Sequence, residues 1–440
     1  MSGKRLKILI IAHEFSPFSG SECAVGWNFA TRLANYHDVT LIYASGSQAS
    51  PGSYLTSLNK YFAHNPAIPG MTLKNVNQPP LTRFTSFLNS FFKKIGPVGL
   101  PFLYYMGYNF WQRKAYKVAV TLHKQEGFHL VHQLTQISFR EPGYTWKMKI
   151  PFFWGPTGGT ANLPWKFYSA LSFSSKLIEG MRFVSNLYQS HLVSRINKAM
   201  QKASVIYTYS SEDASYFRKR TSGHIKTMLD VGTLKHENIN KRDYSKIQVL
   251  TGIWCGHLTY RKAPWILLNA LAQSNITRER VLIKIIGNGP LEQKMHELAV
   301  NLNLKNIEWI RQVPHQEVFR IMSRADFLIH TSLREATSSV IPEALSLGLP
   351  VICHNANGMS FAVDETCGIR VPLISPEESE KGFHEAIQRL ITDRDLLARL
   401  REGAQKRASE ISWDNMANTI AVDYLNTVLI TAEGTNGTKE

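Results

Sequence analysis

Short apolar runs that alternate with helical stretches are the feature of this chain that most restricts its fold. The first run, KRLKILIIAHEF (residues 4–15), is rich in Ile and Leu and ends in a polar turn, which is typical of a strand buried in a parallel sheet. A Ser/Gly/Pro loop follows, then a helix with apolar spacing from Trp27 to Ala34, and then the strand HDVTLIYAS. This β-loop-α-β order predicts a doubly wound α/β sheet.

The same alternation recurs in two sets along the chain. A chain of 440 residues exceeds what one core usually supports, so two domains are expected. We predict two Rossmann-like domains in tandem, residues 1–228 and 229–415, joined near the polar stretch 235–246. An amphipathic helix at 416–432 and a disordered tail at 433–440 complete the prediction. The further strands are predicted at 129–134, 150–155, 204–210, 249–256, 281–287, 307–310, 326–332 and 349–355.

The positive charge is confined to the first half of the chain. Residues 1–220 hold 25 Lys and Arg against 8 Asp and Glu, whereas residues 221–440 hold 25 of each. Such asymmetry indicates that one domain faces an anionic partner, such as a membrane leaflet, a phosphorylated carrier or nucleic acid; a solvated basic surface that aids solubility is the alternative. The chain start lacks the pattern of a signal peptide, and four cysteines without a C-x-x-C pair predict neither disulfides nor a zinc site. We therefore expect a cytoplasmic protein.

Residues 79–120 interrupt the alternating pattern. The stretch 95–112 carries no charge, is rich in aromatic residues and is flanked by Lys93-Lys94 and Arg113-Lys114. Its prolines and glycines argue against a membrane span. Two interpretations remain, a membrane-interfacial segment and an insertion packed on its own domain.

The stretch REATSSVIPEALSLG (residues 334–348) places two carboxylates around the start of a predicted helix. Glu335 follows a strand, and Glu343 comes directly after a proline suited to the first helical turn. Ligands of open α/β sheets bind at that end of the strands. The backbone N–H groups around Ser338 and Ser339 favour phosphate oxygens, and a carboxylate can accept two hydrogen bonds from a ribose diol. The pattern therefore suits a nucleoside-diphosphate sugar.

HTSLREATSSVIPEALSLGLPVI resembles the E-x7-E block of the retaining glycosyltransferases of family 4, and IIGNGPLEQKMHELAVNL and NGMSFAVDETCGIRV resemble its neighbouring stretches. GSECAVGWN, HQLT and FFWGPTGG are similar to a subgroup concerned with bacterial exopolysaccharides and other surface glycans. The resemblance implies the GT-B fold, in which two Rossmann-like domains face a central cleft and a carboxyl-terminal helix packs back on the first. It also implies that Glu335 contacts the donor sugar and Glu343 the ribose.

The resemblance also implies a pair of cations that hold the donor diphosphate. In CGHLTYRKAPWILLNAL (residues 255–271), Lys262 matches the lysine of the family. His257 stands where the family has an arginine, so either Arg261 compensates or a protonated His257 serves more weakly.

Several further positions are predicted less directly. Gly287 and Gly289 would let the backbone turn closely past a ligand, and Gly20-Ser21 stands where the family has a glycine-rich loop near the donor phosphates. The glutamate after Ser21 departs from the family pattern. His132 corresponds to a histidine near the transferred sugar, or is a hydrogen-bonded histidine at a strand end. Arg140 and the GPTGG loop (155–159) are positioned to line the acceptor cleft.

The function these features predict is transfer of a sugar from a nucleoside-diphosphate sugar to a glycan or carrier-lipid acceptor, with retention of configuration. No Asp-x-Asp is present, so we expect no metal and no cofactor besides the donor, together with an anionic membrane surface as partner. A sugar-nucleotide epimerase on the same fold is one alternative. A nucleic-acid-binding protein is another, but no recognition motif supports a nucleic-acid partner.

Overall fold

Thirteen strands form two parallel sheets in the computed structural model, which describes residues 5–48, 50, 52–92, 99–191, 193–234 and 242–436. The first sheet has the order β3-β2-β1-β4-β5-β6-β7 and the second β10-β9-β8-β11-β12-β13. The strands are β1 (Lys7–Ala12), β2 (Asp38–Ala44), β3 (Met71–Val76), β4 (Leu130–Thr135), β5 (Phe152–Thr157), β6 (Ala203–Thr208), β7 (His224–Thr227), β8 (Leu250–Cys255), β9 (Val281–Ile286), β10 (Ile307–Ile310), β11 (Phe327–His330), β12 (Val351–His354) and β13 (Gly368–Val371).

Helices connect successive strands. Those of the first domain are α1 (Ser21–Leu33), α2 (Ser53–Phe62), α3 (Pro80–Ser90), α4 (Pro101–Glu126), α5 (Phe173–His191), α6 (Ser194–Lys202) and α7 (Ser211–Arg218). The others are α8 (Pro264–Ala272), α9 (Asn275–Arg280), α10 (Glu292–Asn301), α11 (His315–Met322), α12 (Val340–Ser346), α13 (Asn357–Ala362), α14 (Pro376–Thr392), α15 (Arg394–Glu410) and α16 (Trp413–Asn436).

The strand order reverses once in each sheet, between β1 and β4 and between β8 and β11. Connections leave such a point in opposite directions, which opens a crevice at the carboxyl ends of the two strands. The crevice of the first domain lies between the loops at 13–20 and 136–144. That of the second lies between the loops at 256–263 and 331–339. The sheet order therefore selects these four loops as the walls of a site.

The predicted α/β class with two parallel sheets is confirmed, and each apolar run predicted as a strand is one. The structure adds β3, β7 and β13. Strands β3 and β7 are the two outer strands of the first sheet. Several of their side chains face solvent, so these strands lack a continuous apolar run. Helix α1 begins at Ser21 rather than near Trp27, directly after Gly20, which has φ +48°.

The last helix crosses from the second domain to the first. Trp413 packs edge-on against Phe29 of α1 at 5.1 Å between ring centroids, and Asp414 pairs with Arg32 at 2.8 Å. Helix α16 extends to Asn436, so residues 433–436 of the predicted tail are helical, and residues 437–440 lie outside the described part. The predicted junction 235–246 falls partly outside it as well.

A second crossing runs in the opposite direction, in the connection between β5 and β6. A 3₁₀ helix at Trp165–Ala170 leaves the first domain, and Leu163, Phe167 and Leu171 are buried in the apolar core of the second. Helix α5 then returns the chain to α6 and the first sheet. Part of residues 1–228 therefore belongs physically to the second domain.

Residues 79–120 include α3 and most of α4. Residues 93–98, which include Lys93 and Lys94, lie outside the described residues. Helix α4 packs on its own domain, where Trp111 is fully buried and donates a hydrogen bond to the Val76 carbonyl at 2.8 Å. Helix α3 leaves two aromatic side chains exposed, Phe84 and Phe87. Among the described helices, none has the combined length and apolarity that crossing a bilayer requires.

Replacing Phe167 with Ala tests whether the crossing segment anchors the two domains together. Phe167 is fully buried in the core of the second domain, so we expect the free energy of unfolding to fall by about 3–5 kcal/mol. Trp165→Ala is the matched control, because Trp165 lies on the same 3₁₀ helix but is 78% exposed. Denaturant melts of both variants measure their free energies of unfolding. Equal values for the two variants would contradict the anchoring role of Phe167.

Candidate active site

Glu335 forms the centre of an ion cluster between the loops after β8 and β11. Its carboxylate lies 2.6 Å from Nη1 of Arg261 and 2.5 Å from Nζ of Lys262. The two loops are far apart in sequence, and they meet because β8 and β11 are neighbours in the sheet. The Thr331 hydroxyl donates to the Lys262 carbonyl at 2.8 Å, and the Leu333 N–H to the Arg261 carbonyl at 2.9 Å. The backbone that carries both cations is therefore fixed.

The cluster holds the carboxylate in its ionised form. Burial alone would raise the pKa of Glu335, but the charges of Lys262 and Arg261 outweigh it and lower this pKa to about 2. Burial also lowers the pKa of Lys262, which Glu335 partly offsets. Lys262 in addition donates to the Ser338 hydroxyl at 3.3 Å. Two cations of the second domain are thus arranged around one anionic group.

Glu343 faces a different space from Glu335. It lines a cavity of about 530 Å³, which we call the Glu343 cavity, with Ser339 on the same wall and Gly20 and Ser21 of the first domain on the other. His315 Nε2 lies 3.1 Å from a carboxylate oxygen of Glu343. Burial raises the pKa of Glu343, which His315 partly offsets. The separation of eight residues therefore directs the two carboxylates into two neighbouring parts of the interdomain cleft.

Glu335 itself lines what we call the arginine cavity, a space of about 320 Å³ between the domains. Arg261 and Arg334 belong to its second-domain wall, while Arg140 and Arg182 belong to the wall of the first domain. Arg334 forms an ion pair with Glu179 of α5 across the cleft. Sequence reasoning missed Arg182 and Arg334 as site residues. Arg334 directly precedes Glu335, so its position beside the E-x7-E block could have identified it. Arg182 on α5 belongs to no motif.

Glu22 joins two cavities. It lines the arginine cavity and also a cavity of about 350 Å³ inside the first domain, which contains Glu14. One carboxylate oxygen of Glu22 accepts the Ile137 N–H at 2.9 Å. Burial and the nearby charge of Glu14 raise the pKa of Glu22 well above its ordinary value. The departure from the family pattern at this position thus places a weakly acidic group beside the site.

Gly287 and Gly289 are close to backbone of their own domain. A Cβ at Gly287 would lie 2.0 Å from the Gly256 carbonyl oxygen, and one at Gly289 would lie 2.5 Å from that of Leu258. Their φ angles, +133° and +158°, also favour glycine. The close approach that these glycines permit is therefore to the loop at 256–258, and their contact with a ligand stays a prediction.

Arg261, rather than His257, reaches the carboxylate of Glu335. His257 is exposed and lines a separate cavity of about 520 Å³ next to Pro290. His257 and Arg261 are the two candidates for the role of the family's arginine. Of these, Arg261 shares the Glu335 carboxylate with Lys262.

His132 lies in the core of the first domain, away from the cleft. It is fully buried, with Nδ1 at 2.5 Å from the Tyr424 hydroxyl of α16 and Nε2 at 2.6 Å from the Gly155 carbonyl. Burial lowers the pKa of His132 to about 4. Since both ring nitrogens are engaged by the fold, the geometry does not support the predicted catalytic part of His132 and instead assigns it to holding α16 on the sheet.

The comparison with known proteins agrees with this geometry. Residues 248–407 match the family model of glycosyl transferases group 1. This part of the chain is a glycosyl transferases group 1 domain. A D-inositol 3-phosphate glycosyltransferase of Streptomyces bingchenggensis is 32% identical over 187 residues, 40% of each chain. An uncharacterized glycosyltransferase of Methanocaldococcus jannaschii is 24% identical over 46% of this chain and 54% of that protein. The chain thus spans about half the length, or less, of these curated relatives.

Solved structures extend the likeness from the group 1 domain to the whole fold. Anabaena Alr3699/HepE in complex with UDP and glucose has a TM-score of 0.57 at 18% identity and covers 96% of this chain and 100% of its own. Sucrose-phosphate synthase of Thermosynechococcus elongatus has a TM-score of 0.62 at 16% identity, covering 97% and 100%. These likenesses show the GT-B fold, and the fold predicted from the sequence is confirmed.

Replacing Glu335 with Gln tests the ion cluster through its pH dependence. The pKa of Glu335 is lowered from its ordinary value of 4.5 to about 2, so its ionised form stabilises the fold above pH 4.5, and this contribution is lost as the pH falls towards 2. We expect the variant to be less stable than the wild type by about 3 kcal/mol at neutral pH, a difference that shrinks below pH 4.5. Denaturant melts between pH 7 and 3 measure it, with the exposed Glu402→Gln as control. A difference that does not change with pH would contradict the assignment.

Proposed function

We propose that the protein is a retaining glycosyltransferase of the family 4 type, which transfers a sugar from a nucleoside-diphosphate sugar. The single observation that carries this proposal is the Glu335 carboxylate held between Lys262 and Arg261 at the wall of an interdomain cleft. Cations that already bind one buried anionic group are suited to bind a second one, the diphosphate of the donor. The group 1 domain and the GT-B fold support the same reaction class.

In this proposal the donor extends between the Glu343 cavity and the arginine cavity. The ribose lies against Glu343, whose two carboxylate oxygens can accept from both hydroxyls of a vicinal diol. The diphosphate lies against Lys262 and Arg261, near Ser338 and the Gly20-Ser21 loop, and the sugar lies beside Glu335. The solved complex of Anabaena HepE contains UDP and glucose, which supports a donor of this kind.

The chemical step breaks the bond between the anomeric carbon and a diphosphate oxygen, and the electron pair leaves with the diphosphate. Lys262 and Arg261 stabilise the charge that develops there, so we propose a reaction that requires no metal ion. The acceptor hydroxyl attacks from the same face and passes its proton to the departing phosphate. The ionised Glu335 carboxylate stabilises positive charge on the sugar in the transition state.

The acceptor in our proposal is a glycan or lipid-linked sugar of a cell-surface polysaccharide, bound by a protein peripheral to the inner face of the membrane. The excess charge of the first half and the exposed aromatic face of α3 support this location. The exposed apolar side chains of α3 and the residue after it are Leu81, Phe84, Phe87 and Phe91.

Paired substitutions of the two glutamates test the donor site. Glu343→Ala removes the ribose contact, so we expect the Kd of the cognate nucleoside diphosphate to rise by about tenfold to a hundredfold. Glu335→Gln leaves that contact intact, so nucleotide binding survives while the transfer rate falls. A panel of UDP-, GDP- and ADP-sugars in a thermal-shift assay first identifies the donor, and calorimetric titration then measures each variant.

Glu402→Ala serves as the control for Glu343→Ala, because Glu402 is an exposed carboxylate on α15. Unchanged nucleotide affinity in Glu343→Ala would exclude its ribose role, and full activity in Glu335→Gln would exclude Glu335 from the mechanism. Conversion of the nucleoside-diphosphate sugar into its epimer without any acceptor would favour the epimerase alternative.

Vesicle binding tests the membrane location. We expect the protein to sediment with phosphatidylglycerol vesicles and much less with phosphatidylcholine vesicles. Phe87→Asp should weaken this binding by about tenfold, since it places a charge on the apolar face of α3. Val300→Asp, on the exposed side of α10, is the control. Binding that prefers a polynucleotide of equal charge over anionic vesicles would overturn the membrane proposal.

A further inference from the structure

An apolar groove of about 860 Å³ lies between α4 and α5. Its volume is within the range of about 300–1,000 Å³ that is usual for sites of small organic ligands. Helix α5 presents apolar side chains to solvent at intervals of three and four residues, each more than half exposed. This spacing makes a continuous stripe along the helix. The stripe consists of Phe173, Leu177, Met181, Val184 and Tyr188, the last three of which line the groove.

The groove adjoins the arginine cavity. Tyr105 of α4 and Arg140 line both spaces, so these two side chains form their common boundary. Arg140 is 7% exposed and is held by a hydrogen bond to Asn186 of α5. The apolar groove therefore lies next to the cavity that Glu335 lines, with the Arg140 side chain between them.

The two walls of the arginine cavity differ in their charge balance. On the second-domain wall, Arg261 pairs with Glu335 and Arg334 with Glu179. On the first-domain wall, Arg140 and Arg182 have no carboxylate within ion-pair distance among the residues that the structure describes.

The first-domain wall thus carries two positive charges without a direct ion pair, and the more distant carboxylates of Asp213 and Glu179 raise the pKa values of Arg140 and Arg182 only in part. Burial, together with the charges of Arg334 and Arg140, lowers the pKa of Arg182 to about 10, and burial lowers that of Arg140. The Nε atom of Arg182 is buried and has no hydrogen-bond partner in the described structure. Such a wall favours an anionic ligand.

We propose that the acceptor is an amphiphilic lipid, whose hydrocarbon chain lies in the groove and whose phosphate or diphosphate head binds Arg140 and Arg182. This inference rests on the proposed function, because it assigns the acceptor of that reaction. Lys262 and Arg261 hold the donor diphosphate on one wall, and Arg140 and Arg182 hold the acceptor head on the other. The acceptor hydroxyl, on a sugar beyond the head, then meets the donor sugar beside Glu335.

Farnesyl diphosphate is a suitable probe, because it joins a fifteen-carbon chain to a diphosphate head. The controls are farnesol, which has the chain alone, and isopentenyl diphosphate, which has the head with a short chain. Calorimetric titration of the full chain, below the concentration at which the probe aggregates, should give a Kd at least about tenfold lower for farnesyl diphosphate than for either control.

Two substitutions localise the two halves of the ligand. Val184→Asp places a charge in the groove and should abolish the advantage of the long chain, while Val300→Asp on exposed α10 should keep it. Arg182→Gln should weaken binding of farnesyl diphosphate and isopentenyl diphosphate alike by about tenfold. Lys176→Gln removes one exposed positive charge from the same helix and should change neither.

The outcomes separate this inference from the proposed function. Nucleoside-diphosphate binding that persists in Val184→Asp and Arg182→Gln shows that the donor site and the fold are intact. Equal affinity for farnesyl and isopentenyl diphosphate, or an unchanged chain effect in Val184→Asp, would overturn the lipid site and leave the donor assignment standing. If the wild type bound farnesyl diphosphate but no nucleoside diphosphate, the proposed transfer reaction would fail instead.

Discussion

The ion cluster of Glu335 with Lys262 and Arg261 is the interaction on which the candidate site depends. Ionised groups are costly to bury unless they are paired, and here one carboxylate compensates two cations at the crevice of the second sheet. The pairing keeps both cations ordered before any ligand arrives. In the proposed reaction, a diphosphate bound to these cations shares them with Glu335, so the carboxylate stays beside the anomeric carbon, where it opposes the positive charge of the transition state.

Two crossings of the chain tie the domains together around this cluster. Helix α16 leaves the second domain and is held on the first sheet by Tyr424 and His132, while the 3₁₀ helix with Phe167 leaves the first domain and is buried in the second. The cleft between the domains thus has a tether in each direction. The loops after β8 and β11 of the second domain thus face those after β1 and β4 of the first across a cleft that both tethers span.

Much of this arrangement could be predicted from the sequence, and the remainder depended on contacts that no local pattern encodes. Strands buried on both faces carry apolar runs, whereas the outer strands β3 and β7 of the first sheet do not. The spacing of Glu335 and Glu343 around a helix start is local, so it was readable. Arg182 enters the site only because α5 folds back across the cleft. His132 is a strand-end histidine by sequence, but its partner Tyr424 lies 292 positions away, and that contact assigns it to the fold.

Helix α5 connects the two proposed ligand sites physically. Its apolar stripe faces the groove, its Arg182 faces the arginine cavity, and its Glu179 holds Arg334, the residue before Glu335. The Arg334 carbonyl in turn accepts a hydrogen bond from Arg261 at 3.2 Å. In the proposed complex, a hydrocarbon chain in the groove therefore contacts the same helix that holds Arg334 next to Glu335.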